Sequence, residues 1–263
     1  MGIQLKEVDL DEIPATPDVS DLEATLNHPA VVKASKILSD HAEAWGFPVA
    51  YKQEQNGRLI HNLIPQKKYE TDQISGSSKK ELELHTESAF HPYKPSHLHL
   101  LCLRGDENAA TTYANIEDIL SQLSQAEIEM LQQPLFLTGV DQSFKLNNEP
   151  SSDQMIYPLR KKAENWEMCY DGELTTGINL FASEALEAMR KAIKNVTKEI
   201  ILKKGHLLII DNTTTIHGRK PFQARYDGTD RWLQRATTIQ TKPPRAQYQN
   251  KTIITEFKPK ISW

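Results

Sequence analysis

The sequence predicts a mostly β fold with flanking helices, built on a double antiparallel sheet of jelly-roll type within one domain spanning residues 1–263. Three observations carry this reading. Runs of β character are short and crowd the middle and end of the chain. Helical periodicity is confined to three separated segments. Strands and helices do not alternate regularly, which disfavours a parallel βαβ sheet. A chain of 263 residues buries enough surface to fold without disulfides or structural metals.

Taken in order, residues 1–27 carry seven acids against Lys6 alone and read as a solvated end segment. Val31, Ala34, Leu38, His41 and Trp45 then form one helical stripe, opened by Pro29 and closed by Gly46. SGSSKK (75–80) reads as a small loop, followed by strand-like LELH (82–85) and HLHLLCL (97–103). SQAE (124–127) is a capping box ahead of Ile128 and Leu131. PLFLTGV (134–140) and WEMCYD (166–171) continue the strands. Leu186, Met189, Ile193, Val196 and Ile200 share a helical face, with Ser183 as the expected N-cap. GHLLIIDNTTTIHGRKPF reads as strand, tight turn and strand. The Asp-Gly signal in RYDGTD should then fold RWLQRATTIQ (231–240) back as a hairpin partner. Residues 241–263, with five bases against Glu256, read as a second solvated end.

Charge excludes several functions. The 31 Lys and Arg against 35 Asp and Glu give a net charge of -4, which fits neither a disordered polyanion nor a basic nucleic-acid binder. Cys102 and Cys169 form no CxxC motif, so a disulfide framework and a cysteine zinc site are not indicated. There is no basic n-region with an apolar stretch at the start, no Ser or Thr at the myristoylation position held by Lys6, and no apolar run of ~20 residues. A cytoplasmic protein with no membrane or nucleic-acid partner is expected. GxSxG, Walker A, HExxH and GxGxxG patterns do not occur.

The chemistry centres on His85-Thr86-Glu87, directly after LEL. Residues two apart on an extended segment point to one side, so an imidazole and a carboxylate can converge on one ion. His217 supplies a second imidazole. Two imidazoles and one carboxylate on one face of an octahedral metal leave three positions open, the arrangement of non-haem Fe(II) oxygenases. On the following segment Arg231, Leu233 and Arg235 share a face, and the two guanidinium groups, ~13 Å apart along a strand, suit two different carboxylates. His97 and His99 share a strand face but read as hydrogen-bonded strand histidines, and Cys102 reads as a small core residue.

The runs LHTESAFHPYKPSHLHLLCLR and GHLLIIDNTTTIHGRKPFQARYDGTDRWLQR resemble the clavaminate synthase-like branch of the Fe(II)/2-oxoglutarate-dependent oxygenases, which includes arginine, asparagine and lysine hydroxylases of natural-product pathways. The resemblance implies a double-stranded β-helix (jelly-roll) core and Fe(II) bound by His85, Glu87 and His217, with 2-oxoglutarate and O2 as co-substrates. It implies that Arg231 and Thr111 hold 2-oxoglutarate, Thr112 being one place away, and that Arg235 receives the α-carboxylate of a free amino acid. Asp171, in MCYDGELTTG, falls on an acid that contacts the substrate side chain. Glu173 shares its face if the segment is extended, and two such acids suit a basic side chain. Glu54 is similar to a region that binds the α-amino group, Ser75 is a further candidate for substrate binding, and His91 is expected to brace the site.

The expected reaction is hydroxylation of a free, basic L-amino acid of arginine or lysine type, as in antibiotic biosynthesis. With Glu87 intact, halogenation is disfavoured. Desaturation, cyclisation, a carrier-tethered or peptidyl substrate, and a metal-binding jelly roll without turnover are the alternatives.

Overall fold

In the computed structural model, which describes residues 2–144, 153–244, 248–249 and 252–255, the run His97–Arg104 is a strand buried along nearly its whole length. The reason is two-sided packing. Leu98, Leu100 and Cys102 meet Leu208, Ile210 and Leu233 on one face, while Leu101 and Leu103 meet Val31, Ala34 and Leu38 on the other. Near-continuous apolar character is what such a strand requires.

The chain runs β1 (Ile3–Glu7), α1 (Leu22–Thr25), α2 (Pro29–Glu43), β2 (Phe47–Tyr51), β3 (His61–Leu63), β4 (Leu82–His85), β5 (His97–Arg104) and β6 (Thr111–Asn115). It continues through α3 (Ile116–Leu120), α4 (Gln125–Leu131), β7 (Phe136–Thr138), β8 (Gln154–Ile156), β9 (Leu159–Lys162), β10 (Asn165–Met168), β11 (Thr175–Gly177) and α5 (Leu180–Val196). The last elements are β12 (Lys198–Ile200), β13 (His206–Asp211), β14 (Thr215–Arg219), β15 (Trp232–Ile239), β16 (Tyr248–Gln249) and β17 (Thr252–Thr255). The larger sheet has the order β1-β13-β5-β15-β2-β17-β16, with β3 on β15, and the smaller has β12-β6-β14-β4. Pairing is antiparallel throughout both, apart from the parallel β17–β2 pair. The fold is thus mostly β with a few helices and antiparallel sheets.

Each sheet has its own outer cover. α2 lies on the larger sheet, and its N-cap His28 accepts a hydrogen bond from the Ala30 N–H. α5 and α3 lie on the smaller, where Leu186, Met189 and Ile193 bury Ala114 and Ile216. The SQAE capping box opens α4 as the sequence predicts.

Three expectations are corrected. The N-cap of α5 is Asn179, whose side chain accepts from the Ala182 N–H, and Ile200 lies in β12 beyond the helix end. Strand β15 does not form a hairpin with β14. It pairs with β5, β2 and β3 in the larger sheet, because the Asp-Gly segment crosses between sheets, its path fixed by Asp230 accepting from the Arg225 and Tyr226 N–H groups. The first residues are not simply solvated, since β1 pairs with β13. The 75–80 segment is a loop, as expected, with Gly76, Ser77 and Ser78 buried. Most of the basic C-terminal segment lies outside the described residues.

Candidate active site

Strand parity places the site. Along β14, Ile216 enters the core under α5, while His217 and Arg219 face the space between the sheets. Along the opposing segment Trp232 packs under α2, while Arg231, Leu233 and Arg235 face the same space. The result is a cavity of about 280 Å³ lined from both sheets.

His217 lies directly across from His85 in the β14–β4 register, with ring centroids 4.5 Å apart. One ligand atom from each of His85, Glu87 and His217 lies within 4.8 Å of the others. The donor chemistry suits a divalent metal. His85 Nδ1 donates to the Glu83 carbonyl at 2.8 Å, which leaves Nε2 as a lone-pair donor. Burial, with His85 adding, pushes His217 down to about 4, so its ring is neutral. Burial works against the Glu87 charge, yet Arg235, His217 and His85 outweigh it and hold the carboxyl below the usual range. The backbone at Glu87 is clamped by Asn212, which accepts from the Glu87 N–H at 2.8 Å and donates to its carbonyl at 3.2 Å.

Gly218 is needed beside this register. A Cβ there would collide with the Leu82 carbonyl, where the β14–β4 pairing shifts.

Arg235 is tied down at both tips of its fork. Nη1 donates to Glu87 Oε1 at 2.8 Å, and Nη2 donates to Glu54 Oε1 at 2.6 Å and to His61 Nδ1 at 2.8 Å. His61 Nε2 in turn donates to the Arg58 carbonyl at 2.9 Å. Burial and the Arg235 charge push His61 down to about 3, matching its role as a neutral acceptor. Burial opposes the Arg235 charge, but Glu54 and Glu87 keep it firmly protonated. Burial pushes the Glu54 carboxyl up against the pull of Arg235.

Arg231 is different. It is buried, and among the described residues no group hydrogen-bonds or pairs with it. Burial pushes it down to about 10. The Thr111 hydroxyl, on the same cavity wall, is buried without a partner. Thr112 also has an unpartnered hydroxyl but does not line the cavity.

The remaining candidates divide. Asp171 lines the cavity, with Oδ1 accepting from the Glu173 and Leu174 N–H groups. Glu173 reaches the same cavity but pairs with Lys80 at 3.1 Å. Ser75 is at its exposed rim. His91 accepts from the Tyr93 N–H and packs edge-on to Tyr51 at 4.7 Å. Sequence reasoning missed His61, Asp141, Asn212 and Arg219. Asp141 faces the cavity near Asp171, and burial with the Asp171 charge pushes it up to about 7.

The taurine catabolism dioxygenase TauD, TfdA family matches residues 32–237, a span that contains all three metal-capable residues and both arginines. The chain belongs to this family. A relative, the L-lysine 3-hydroxylase of Catenulispora acidiphila, is 33% identical over 231 residues, covering 86% of this chain and 63% of that one. The chain therefore spans less than two thirds of that protein's length. The L-asparagine oxygenase of Streptomyces coelicolor is 33% identical over 234 residues, 88% of this chain and 68% of that one. Among solved structures, an asparagine oxygenase in complex with Fe(II), (2S,3S)-3-hydroxyasparagine and succinate superposes with a TM-score of 0.87 at 29% identity, covering 98% of this chain and 80% of that one. Among the described residues no helix is long and apolar enough to cross a membrane.

Proposed function

We propose that residues 1–263 form a single Fe(II)/2-oxoglutarate-dependent oxygenase domain, its two sheets a double-stranded β-helix (jelly-roll) core, which hydroxylates a free basic L-amino acid of arginine or lysine type. The observation that carries this is the convergence of His85, Glu87 and His217 beside a buried arginine that has no partner among the described residues. Family membership and the named relatives, which are amino-acid hydroxylases, support the reaction class.

His85, Glu87 and His217 would hold the metal. When bound, iron with 2-oxoglutarate and O2 supplies the oxidising power to replace an unactivated C–H with C–OH. Arg231 and the Thr111 hydroxyl would take the far carboxylate of 2-oxoglutarate, which answers why neither has a partner among the described residues. Arg235 would receive the substrate α-carboxylate and Glu54 the α-ammonium. A substrate anchored at that end points its side chain towards Asp171 and Asp141, with Glu173 and Ser75 at the rim. A guanidinium or ammonium group between these two half-buried acids would favour the ionised form of Asp141. The protein thus works by placement, deciding which carbon lies nearest the metal.

The test is succinate release from 2-oxoglutarate under air, with Fe(II) and a panel of free amino acids. Arginine, lysine or ornithine should stimulate it at least tenfold, with an oxygenated amino-acid product. Stimulation by none of the panel would overturn the amino-acid assignment. Absence of a visible charge-transfer band on anaerobic addition of Fe(II) and 2-oxoglutarate would overturn the oxygenase reading itself.

A further inference from the structure

Arg219 is two residues beyond His217 on β14 and shares its inward face. It is 3% exposed, yet it meets no carboxylate among the described residues. Its neighbours are all neutral. Nη1 donates to the Lys220 carbonyl at 2.7 Å and the Ser78 carbonyl at 3.4 Å, and Nη2 donates to Ser77 Oγ at 2.8 Å and the Lys80 carbonyl at 3.2 Å. Nε has no partner, and the Phe222 ring lies 5.0 Å from the guanidinium carbon. In the β14–β6 register Arg219 stands directly opposite Thr111, whose hydroxyl is also unpartnered.

Arg231 lines the same cavity, also without a carboxylate in direct contact among the described residues. Two buried guanidinium groups therefore line one cavity, each without a carboxylate in direct contact among the described residues, Glu81 and Asp106 acting on them only from farther away, an arrangement that an anion between them would relieve. Of the cavity acids, Glu54 and Glu87 are both engaged by Arg235.

We propose that Arg219 is a specificity-determining residue for the co-substrate: its buried charge, hydrogen-bonded only to neutral groups and added to that of Arg231, selects a 2-oxo acid carrying a second carboxylate over one with an uncharged tail. The proposal rests on the oxygenase reading above. Arg219 acts through space, with its own hydrogen bonds spent on the 77–80 segment, so charge and not fork geometry is what matters.

The experiment measures anaerobic binding of 2-oxoglutarate and of 2-oxopentanoate, its analogue with a methyl in place of the far carboxylate, to the Fe(II)-loaded chain by the charge-transfer band and by calorimetry. Arg219→Gln should weaken 2-oxoglutarate about tenfold and 2-oxopentanoate less than about twofold, while Arg219→Lys stays within about threefold of the unaltered chain for both. Equal losses for the two acids, or a lysine variant as weak as the glutamine one, would show that Arg219 only clips the 77–80 segment in place and would overturn the proposal. A second variant covers a misfolded Arg219→Gln. Arg231→Gln, with Arg219 intact, should keep at least a threefold preference for 2-oxoglutarate, and complete loss of that preference would also overturn the proposal. If the unaltered chain binds neither acid, the oxygenase reading falls with it.

Discussion

At the scale of single residues, the site is a chain of charges in which no member can be removed alone. Arg235 compensates Glu54 and Glu87 together, at 2.6 and 2.8 Å, all three nearly inaccessible to solvent. Removing one partner of such a set leaves an unpaired buried charge, which typically costs about 3–5 kcal/mol, more than the interaction itself is worth. Arg235→Gln should therefore lower stability in urea by about 3 kcal/mol, and adding Glu54→Gln should recover part of that loss. Strictly additive losses in the double variant would show that the two groups are not coupled. The same parity that revealed His85, Glu87 and His217 also places Arg219 on the inward face, so that residue was legible in the sequence and was passed over. Asn212, His61 and Asp141 were not legible. Asn212 clamps Glu87 from 125 residues away, and nothing in the local pattern of either segment encodes that meeting.

At the scale of elements, two junctions decide whether the site is assembled. In β14, Gly218 lets the backbone of β4 approach where their register shifts. Gly218→Ala must push the strands apart and misalign His217 with His85. We expect a loss of Mn(II) affinity of at least tenfold by calorimetry, with the helix content in far-ultraviolet circular dichroism unchanged. The second junction is α2 on β5, where His41, His97 and His99 cluster about Trp45. Burial pushes all three down, His41 with Lys6 adding and His97 against Asp211, and burial with His97 and His41 takes His99 to about 3. The sign follows from proton uptake on unfolding. An unfolded histidine binds its proton near pH 6.5, whereas folded His99 does not until about pH 3, so stability falls as pH drops through that window. Between pH 7.5 and 5 His99 alone should account for about 2 kcal/mol of lost stability. Urea titrations at the two values should show a smaller drop for His99→Gln, and an equal drop would mean His99 is not the group responsible. The element order was largely legible, because burial on one or two faces writes periodicity into the chain. The β14–β15 pairing was misread because Asp-Gly signals only a local turn, whereas the partner of β15 is chosen by the apolar face it offers to β5.

At the scale of the whole molecule, the three metal-capable residues come from one side and the anion-receiving arginines from the other. His85 and His217 stand on the smaller sheet, Glu87 follows β4, and Arg231 and Arg235 belong to the β15 segment joined to the larger sheet. The Arg235–Glu87 ion pair, at 2.8 Å, ties the two sides together directly across the cavity. A metal alone engages groups of one side only. A dicarboxylate that touches both the metal and Arg231 spans the two, so it should stabilise the packing of the sheets and not merely fill space. Binding to the folded state alone contributes about 2.7 kcal/mol at a hundredfold excess over the dissociation constant, equivalent to roughly 5–10 °C in a chain of this size. With redox-silent Mn(II), thermal melting should rise modestly on adding the metal and by a further 5 °C or so on adding 2-oxoglutarate, about as for any saturating ligand. The spanning argument makes a sharper demand. In Arg231→Gln the Mn(II) increment should survive while the 2-oxoglutarate increment, at the concentration saturating the unaltered chain, shrinks to less than half. An undiminished second increment would place the far carboxylate elsewhere and remove the bridge between the sheets.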